Sequence, residues 1–535
     1  MASLPKAVLF RHTHAARLGA VLLAGLLLRL PTFSRPFLST DESVYGATAD
    51  AMRRGAVLYR DIVDHKPPAI YDVFLASFEL LGPYHTQLAH LLVIVAALLI
   101  GLALSRAAVR TTSDTRSGWM AALLFVVFST TMPDFDALAA NCELFLLAAQ
   151  AAAFAWLLDG LGGRGGQSRR TLFGVGVLTG VAVAFKYQGA TFLAVVGGTL
   201  ALEVWWRRRT VLGALAGLAV TLAGCAIVPA VYIARAWLGG GLDAMWFWFR
   251  FNFVYLDAGP RGLAALRLGL LRTALLGAAA FLPYAFGLTG TWRTIREWWR
   301  RGTARPDRPE PEPELAARAL AVIWLASSVI ALVAGFRFFG HYFHLVLPAL
   351  CVLAAGPLLA FWDRFGRLRP AITLLLVAPA LAALAVSTVL RTTVVGRFDP
   401  KPPYATVAAR LQEISSPDDT IFVWGHSTEL YVLAERQTGT RFSFCDYLTG
   451  ASPGTRTATA LADPSPNVVA SAWKMLFDDL ARRRPRFLVD PTPAGWDGYG
   501  LFPLARYPRL YAYVRAHYVE RDHVGGVVIY ERSAR

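Results

Sequence analysis

The stretch Leu38-Ser39-Thr40-Asp41-Glu42-Ser43-Val44-Tyr45 lies between two apolar runs, 16–33 and 86–105, each long enough to cross a bilayer. It runs on to Asp64-His65-Lys66-Pro67-Pro68. A shorter acidic stretch, Pro133-Asp134-Phe135-Asp136, leads into Asn141 and Glu143. Carboxylates are costly near hydrocarbon, so acids gathered at the ends of spans mark a functional site by default. The chain reads as a polytopic membrane protein with its chemistry at one surface.

Composition agrees. Of 535 residues, 55% are hydrophobic and 17% charged, against roughly 25% charged in soluble domains, and mean hydropathy is +0.45. A net charge of +17 does not point to nucleic acid here, because the arginines sit in short clusters between apolar runs, as orientation signals do. Cys142, Cys225 and Cys351 fall inside apolar runs and only Cys445 lies outside them, so packing is expected rather than a disulfide framework.

Further runs at 118–132, 137–158, 171–185, 189–204, 210–236, 263–289, 317–336, 342–362 and 370–391 bring the total to about eleven transmembrane helices. In the first run Arg11 and Arg17 precede the apolar stretch Ala20 to Leu28, but no small-x-small cleavage site is present and more spans follow, so a retained helix is expected. One set of alternate loops carries Arg106, Arg110 and Arg116, then Arg164, Arg169 and Arg170, then Arg207, Arg208 and Arg209. It continues with Arg293, Arg296, Arg300 and Arg301 and ends with Arg364, Arg367 and Arg369. The opposite set is poorer in basic residues, with none at 132–137, Lys186 alone in the next and Arg250 and Arg261 in a longer one. By the positive-inside rule the N-terminus and the arginine-rich loops are cytoplasmic, and both acidic loops face outward, on the same side as the C-terminal segment. The loop 290–316, Pro- and charge-rich over 300–314, reads as a cytoplasmic linker.

Residues 1–395 thus form a membrane domain, and beyond them the pattern changes. Segments 421–425, 486–490 and 526–530 read as strands, with helices over 407–414 and 469–480. That alternation predicts a small extracytoplasmic α/β domain over 396–535.

In the first outer loop (34–85), Ser39 and Glu42 have capping-box spacing, so a helix starts there and ends near Gly55. Asp41 and Tyr45 share one face of it. A second helix starts at Pro67-Pro68 with an apolar stripe of Ile70, Val73, Phe74, Phe78 and Leu81, and both would lie along the membrane surface. Glu42 fits either a functional carboxylate or a helix cap. Asp41 fits either a reactive group or a first-turn acid favoured by the helix dipole. Lys66 precedes a helix N-terminus, where amides and a cation together suit a phosphate. Lys186 either snorkels to the headgroups or binds an anion. The run Gly335-Phe336-Arg337-Phe338-Phe339-Gly340-His341-Tyr342-Phe343-His344 sets an arginine and two histidines among aromatics, which suits an anionic headgroup. The aromatic run 246–253 reads as an interfacial belt, with sugar stacking as the second option.

The ordered set is Asp41-Glu42 with Tyr45, then Tyr59, Lys66-Pro67-Pro68, Asp134/Asp136 with Asn141 and Glu143, Lys186, the 337–343 run and Val423-Trp424-Gly425. It resembles the GT-C membrane glycosyltransferases of family 39 and their bacterial relatives. These include protein O-mannosyltransferases, the lipid A aminoarabinose transferase and a rhizobial galacturonosyltransferase-like domain. The resemblance covers residues 15–345 well and the tail less well. It implies transfer of a sugar from a polyprenyl-phosphate donor to a protein, lipid or polysaccharide acceptor, with inversion at the anomeric carbon. It further implies catalytic roles for Asp41, Glu42 and Asp134 or Asp136. Lys66, Arg337, His341 and Lys186 would bind the donor phosphate, and Tyr45, Tyr59, Asn141 and Glu143 would contact substrate. It names no cofactor and leaves a divalent metal ion open. Asp134-Phe135-Asp136 has the spacing of a nucleotide-sugar loop but lies on the outer side, which favours a lipid donor. The alternative, a lipid or sugar transporter or flippase, predicts ionisable residues in mid-span and a repeated half.

Overall fold

A computed structural model describes residues 6–131, 135–161, 166–257, 259–304, 312–385, 403–451 and 464–534. Helix α1 (Lys6–Arg29) is followed by α2 (Thr40–Arg53) and α3 (Ala69–Leu81), which make up the first loop. Then come α4 (Gln87–Thr112), α5 (Thr115–Phe128), α6 (Cys142–Gly160), α7 (Arg169–Phe185), α8 (Leu193–Trp205) and α9 (Val211–Leu238). The helical part closes with α10 (Leu242–Asp257), α11 (Gly262–Ala279), α12 (Phe281–Ala304), α13 (Pro313–Val333), α14 (Leu347–Arg364) and α15 (Arg369–Ala385). Among the described residues, eight helices are long and apolar enough to cross a membrane. Some crossings pack backbone to backbone: a Cβ on Gly180 of α7 would stand 2.4 Å from the Cys225 carbonyl oxygen of α9. Small residues allow that approach where lipid removes the hydrophobic drive between helices.

The face that carries α2 and α3 is called the loop face. Here the run 263–289 departs from the single span expected, because it breaks at Ala280 (φ −118°, ψ 42°) into α11 and α12. Helix α12 lies beside α14, with Gly287 against Leu350 and Gly290 against Leu353, and so runs parallel to it. Helix α11 stays on the loop face. Gly259 just ahead of it abuts Gly335, Gly269 faces the Phe338 ring, and the Thr131 hydroxyl donates to the Ala279 carbonyl. Surface and spanning helices can be equally apolar, so hydropathy fused the two. Helix α12 also continues to Ala304, into the stretch expected to be a linker. Glu297 pairs there with Arg301 at 2.6 Å and with Arg318 of α13 at 2.7 Å. Residues 305–311 of that linker, and 386–402 between α15 and the C-terminal unit, lie outside the described residues.

The C-terminal unit has a five-stranded sheet in the order β2-β1-β3-β5-β4. Its strands are β1 (Thr420–Val423), β2 (Gln437–Thr438), β3 (Phe487–Asp490), β4 (Tyr518–Val524) and β5 (Val527–Arg532). β1 runs parallel to β2 and β3, while β5 is antiparallel to β3 and β4. The edge strands β2 and β4 were not expected: the first has two residues and the second is largely charged. This unit has no separate core. Phe422, Trp424 and Tyr447 pack in one cluster with Val44, Tyr59 and Val63 of the first loop and Trp248 of α10. The aromatic run of α10 is therefore divided, with Trp248 buried against Tyr447 while Trp246, Phe247 and Phe253 stay exposed.

Candidate active site

Helix α2 begins with the full capping box. The Ser39 hydroxyl accepts the Glu42 N–H at 3.3 Å, and Glu42 Oε2 accepts the Leu38 and Ser39 N–H groups at 2.6 and 3.4 Å. Glu42 does more than cap. Its Oε1 accepts the Ala140 N–H at 2.6 Å and lies 3.1 Å from His90 Nε2 of α4. The carboxylate is completely buried and joins the first loop, α4 and the second acidic loop.

Asp41, one position round the helix, keeps 37% of its side chain exposed and pairs with Lys66 at 2.8 Å. The Lys66 ammonium also donates to the Tyr45 hydroxyl at 2.9 Å, and Tyr45 donates to Asp41 Oδ2 at 3.4 Å. Burial alone would push the Asp41 carboxyl up. The Lys66 ammonium, with His341 and Lys186 nearby, outweighs burial and holds it well below the usual carboxylate range. Burial would likewise depress Lys66, but the charges of Asp41 and Asp64 raise it instead. Tyr59 supports the lysine from behind, its hydroxyl donating to the Lys66 carbonyl at 2.8 Å. It does so from a left-handed backbone (φ +72°), a strained conformation for a tyrosine.

The second half of the site comes from α6, α7 and the turn before α14. Asn141 stands at the N-cap position of α6 without a side-chain capping bond, and its Oδ1 accepts the Ser39 hydroxyl at 3.4 Å. Glu143 is buried and ion-paired with Lys186, so Lys186 turns inward and does not snorkel. The Lys186 ammonium sits 3.9 Å from the Tyr342 ring centroid, and His341 Nε2 lies 3.8 Å from Glu143. Cys142 contacts the Tyr45 hydroxyl at 3.6 Å and lies within electrostatic range of both lysines. Two ion pairs, Asp41–Lys66 and Glu143–Lys186, thus lie close together on the loop face. Arg337 is buried in the turn four residues ahead of His341, where Gly335, Phe336 and Phe338 are all left-handed. Asp134 and the side chain of Asp136 lie outside the described residues; the backbone of Asp136 is in a short 3-10 turn, Phe135–Leu138.

Sequence reasoning quoted Asp64 and Tyr342 but assigned neither a role. Asp64 is buried, accepts the His65 N–H at 2.6 Å and the Tyr447 hydroxyl at 3.3 Å. Burial pushes its carboxyl up, but hydrogen bonding and charge from His65, with Lys66 nearby, bring it down to about 2. Its acidity beside Lys66 was the one available signal. As to a metal, no three His, Cys, Asp or Glu side chains among the described residues come together to hold one. Asp41 and Glu143 each already carry an ammonium partner.

No family model and no curated protein matches the sequence. Solved structures do. AglB, the oligosaccharyltransferase of the archaeon Archaeoglobus fulgidus, in complex with an inhibitory peptide and a dolichol-phosphate, is 12% identical with a TM-score of 0.50; the match covers 98% of this chain and 74% of that one. The Archaeoglobus fulgidus oligosaccharyltransferase in complex with zinc and sulfate is 14% identical with a TM-score of 0.51, covering 97% and 73%. ArnT from Cupriavidus metallidurans bound to undecaprenyl phosphate is 17% identical with a TM-score of 0.44, covering 97% and 98%. Across nearly its whole length the chain has the fold of these archaeal oligosaccharyltransferases.

Proposed function

We propose that the chain is a glycosyltransferase that moves a sugar from a polyprenyl-phosphate donor to an acceptor at the loop face, with the loop face outside the cytoplasm of a bacterial inner membrane. The carrying observation is the pair of inward-turned, partly exposed lysines, Lys66 and Lys186, each held by a carboxylate at the membrane surface. The oligosaccharyltransferase of the same fold was solved with a dolichol-phosphate, which is an anion of the required kind.

The acceptor hydroxyl or amine attacks the anomeric carbon from the face opposite the phosphate. The carbon–oxygen bond to phosphate breaks, and the lipid phosphate departs with the electron pair, inverting the carbon, while the acceptor's proton, hydrogen-bonded to Asp41, is released to water. Charge grows on the phosphate oxygens as this happens, so Lys66, Lys186, His341 and Arg337 act where charge develops. Asp41 accepts a hydrogen bond from the acceptor and orients it; phosphate leaves readily enough that no general acid is needed. Glu42 positions Asp41 from below, and Tyr45, Tyr59, Asn141 and Glu143 fix the cations and the rim. Asp134 and Asp136 remain candidates for placing the acceptor. Zinc accompanies one structure of this fold, and no step of the proposed transfer runs through a metal.

The test is transfer from a radiolabelled undecaprenyl-phosphate sugar in membranes containing the protein, with Asp41→Asn as the comparison. Full transfer by Asp41→Asn would sink the assignment of the site. A pH profile makes a second prediction. Asp41 has a lowered carboxyl, so its stabilising charge is present above the ordinary value and lost only as pH falls through the depressed one. Lys66 is raised, so its contribution is present below the ordinary value and lost only as pH rises through the raised one. The pair therefore keeps its charges throughout, and kcat should show no inflection at the ordinary aspartate value near ~4. An inflection there that disappears in Asp41→Asn would contradict the pairing.

A further inference from the structure

The segment carrying Lys66 is gripped by a residue more than 380 positions away. Tyr447, which is 2% exposed, belongs to the C-terminal unit. Its hydroxyl donates to Asp64 Oδ1 at 3.3 Å and lies 2.9 Å from His65 Nδ1, which itself lies 3.1 Å from the same carboxylate oxygen. With Nδ1 protonated, the imidazole donates to the tyrosine and the tyrosine donates to Asp64, closing a triangle. The Val63 N–H donates to the Arg441 carbonyl at 2.9 Å, so the C-terminal unit also holds the backbone. Asn252 of α10 donates to the His65 carbonyl at 2.9 Å. Residues 63–65 are thus tied to the C-terminal unit and to α10.

We propose that Tyr447 is a positioning residue for the donor phosphate, acting through Asp64 and His65 on Lys66, so that the C-terminal unit forms part of the donor grip. This rests on the function proposed above. Asp64 is the second carboxylate, after Asp41, whose field acts on Lys66. A compact ammonium on four flexible carbons is placed only as well as its backbone is placed. Tyr447 supplies the hydroxyl that holds Asp64 against that backbone. Its ring is packed independently of the hydroxyl, against Trp248, Phe251 and Phe444 at centroid distances of 4.6, 4.9 and 5.1 Å. Tyr447→Phe therefore removes one hydroxyl from an intact packing arrangement.

The experiment measures the affinity of the purified full-length protein for undecaprenyl phosphate in detergent. Tyr447→Phe should weaken it about tenfold, the scale of a lost hydrogen bond to a charged group. Tyr518→Phe is the control, since its buried hydroxyl donates to the Pro485 carbonyl inside the C-terminal unit rather than to Asp64 or His65. It should bind as wild type does. The double variant Lys66→Ala/Tyr447→Phe should bind no more weakly than Lys66→Ala, because the tyrosine acts through the lysine. Lys66→Ala binding like wild type would overturn the functional reading itself. A weakened Lys66→Ala beside an unchanged Tyr447→Phe would overturn only the role of Tyr447. Equal weakening by Tyr447→Phe and Tyr518→Phe, or additive losses in the double variant, would do the same.

Discussion

Lys66→Ala is expected to lower transfer from a polyprenyl-phosphate sugar by roughly 10²–10³-fold, the cost of removing one preorganised group aimed at developing charge. The protein should still reach the membrane in normal amount. The ammonium has three donors, and the structure uses two, on Asp41 and on the Tyr45 hydroxyl. One remains for a phosphate oxygen, and the 21% exposure of the side chain leaves it accessible. Lys66→Arg keeps the charge but replaces a compact ammonium with a planar fork between Asp41 and Tyr45, so it should restore only part of the rate. Asp41→Asn should also reduce kcat strongly, and for a related reason. It removes both the group that orients the acceptor and the charge that holds Lys66. The double variant Asp41→Asn/Lys66→Ala should then cost much less than the product of the two single losses, since both act through one pair. Initial rates for the four proteins at saturating acceptor decide the matter. Simple multiplication of the two effects would mean that the carboxylate and the ammonium work separately.

The local parts of this site are legible in the chain because neighbours in sequence make them. Ser39 and Glu42 announce a capping box, and Asp41 and Tyr45 fall on one helical face by spacing alone. Lys66 stands at the start of a helix that the two prolines mark. The loop-face position of these groups with Lys186 and the 337–343 run follows from counting spans. What sequence does not carry is contact between distant segments. The dual use of Glu42 depends on Ala140 and His90, and the support of Lys66 depends on Tyr447, neither of which any periodicity links to the first loop. The break at Ala280 was invisible for a different reason. Hydropathy measures how apolar a helix is and not which way it points, so a surface helix and the crossing after it read as one run. The short strand β2 and the charged strand β4 likewise lack the alternation by which strands are read.

Glu42 carries the largest expected effect on stability. Glu42→Ala should cost roughly 3–5 kcal/mol, as breaking a buried charged contact does, which is a large share of a typical total of about 5–15 kcal/mol. Three N–H groups, from Leu38, Ser39 and Ala140, would lose their acceptor in a site without solvent access. Each buried donor left unpaired adds its own desolvation cost. Glu42→Gln should not rescue the fold. An amide offers one oxygen where the structure uses two, so its nitrogen must face either the Leu38 and Ser39 amides or the Ala140 amide and His90. Both directions set a donor against donors. The first loop would then come away from the second acidic loop, and Asp41, one position along, would lose its place as well. Thermal unfolding in detergent, followed with the yield of folded protein, should therefore separate two neighbouring carboxylates. Asp41→Asn should unfold near wild type and fail in transfer, while Glu42→Gln should fail in both. A Glu42→Gln protein as stable as wild type but inactive would move Glu42 out of the scaffold and into the reaction.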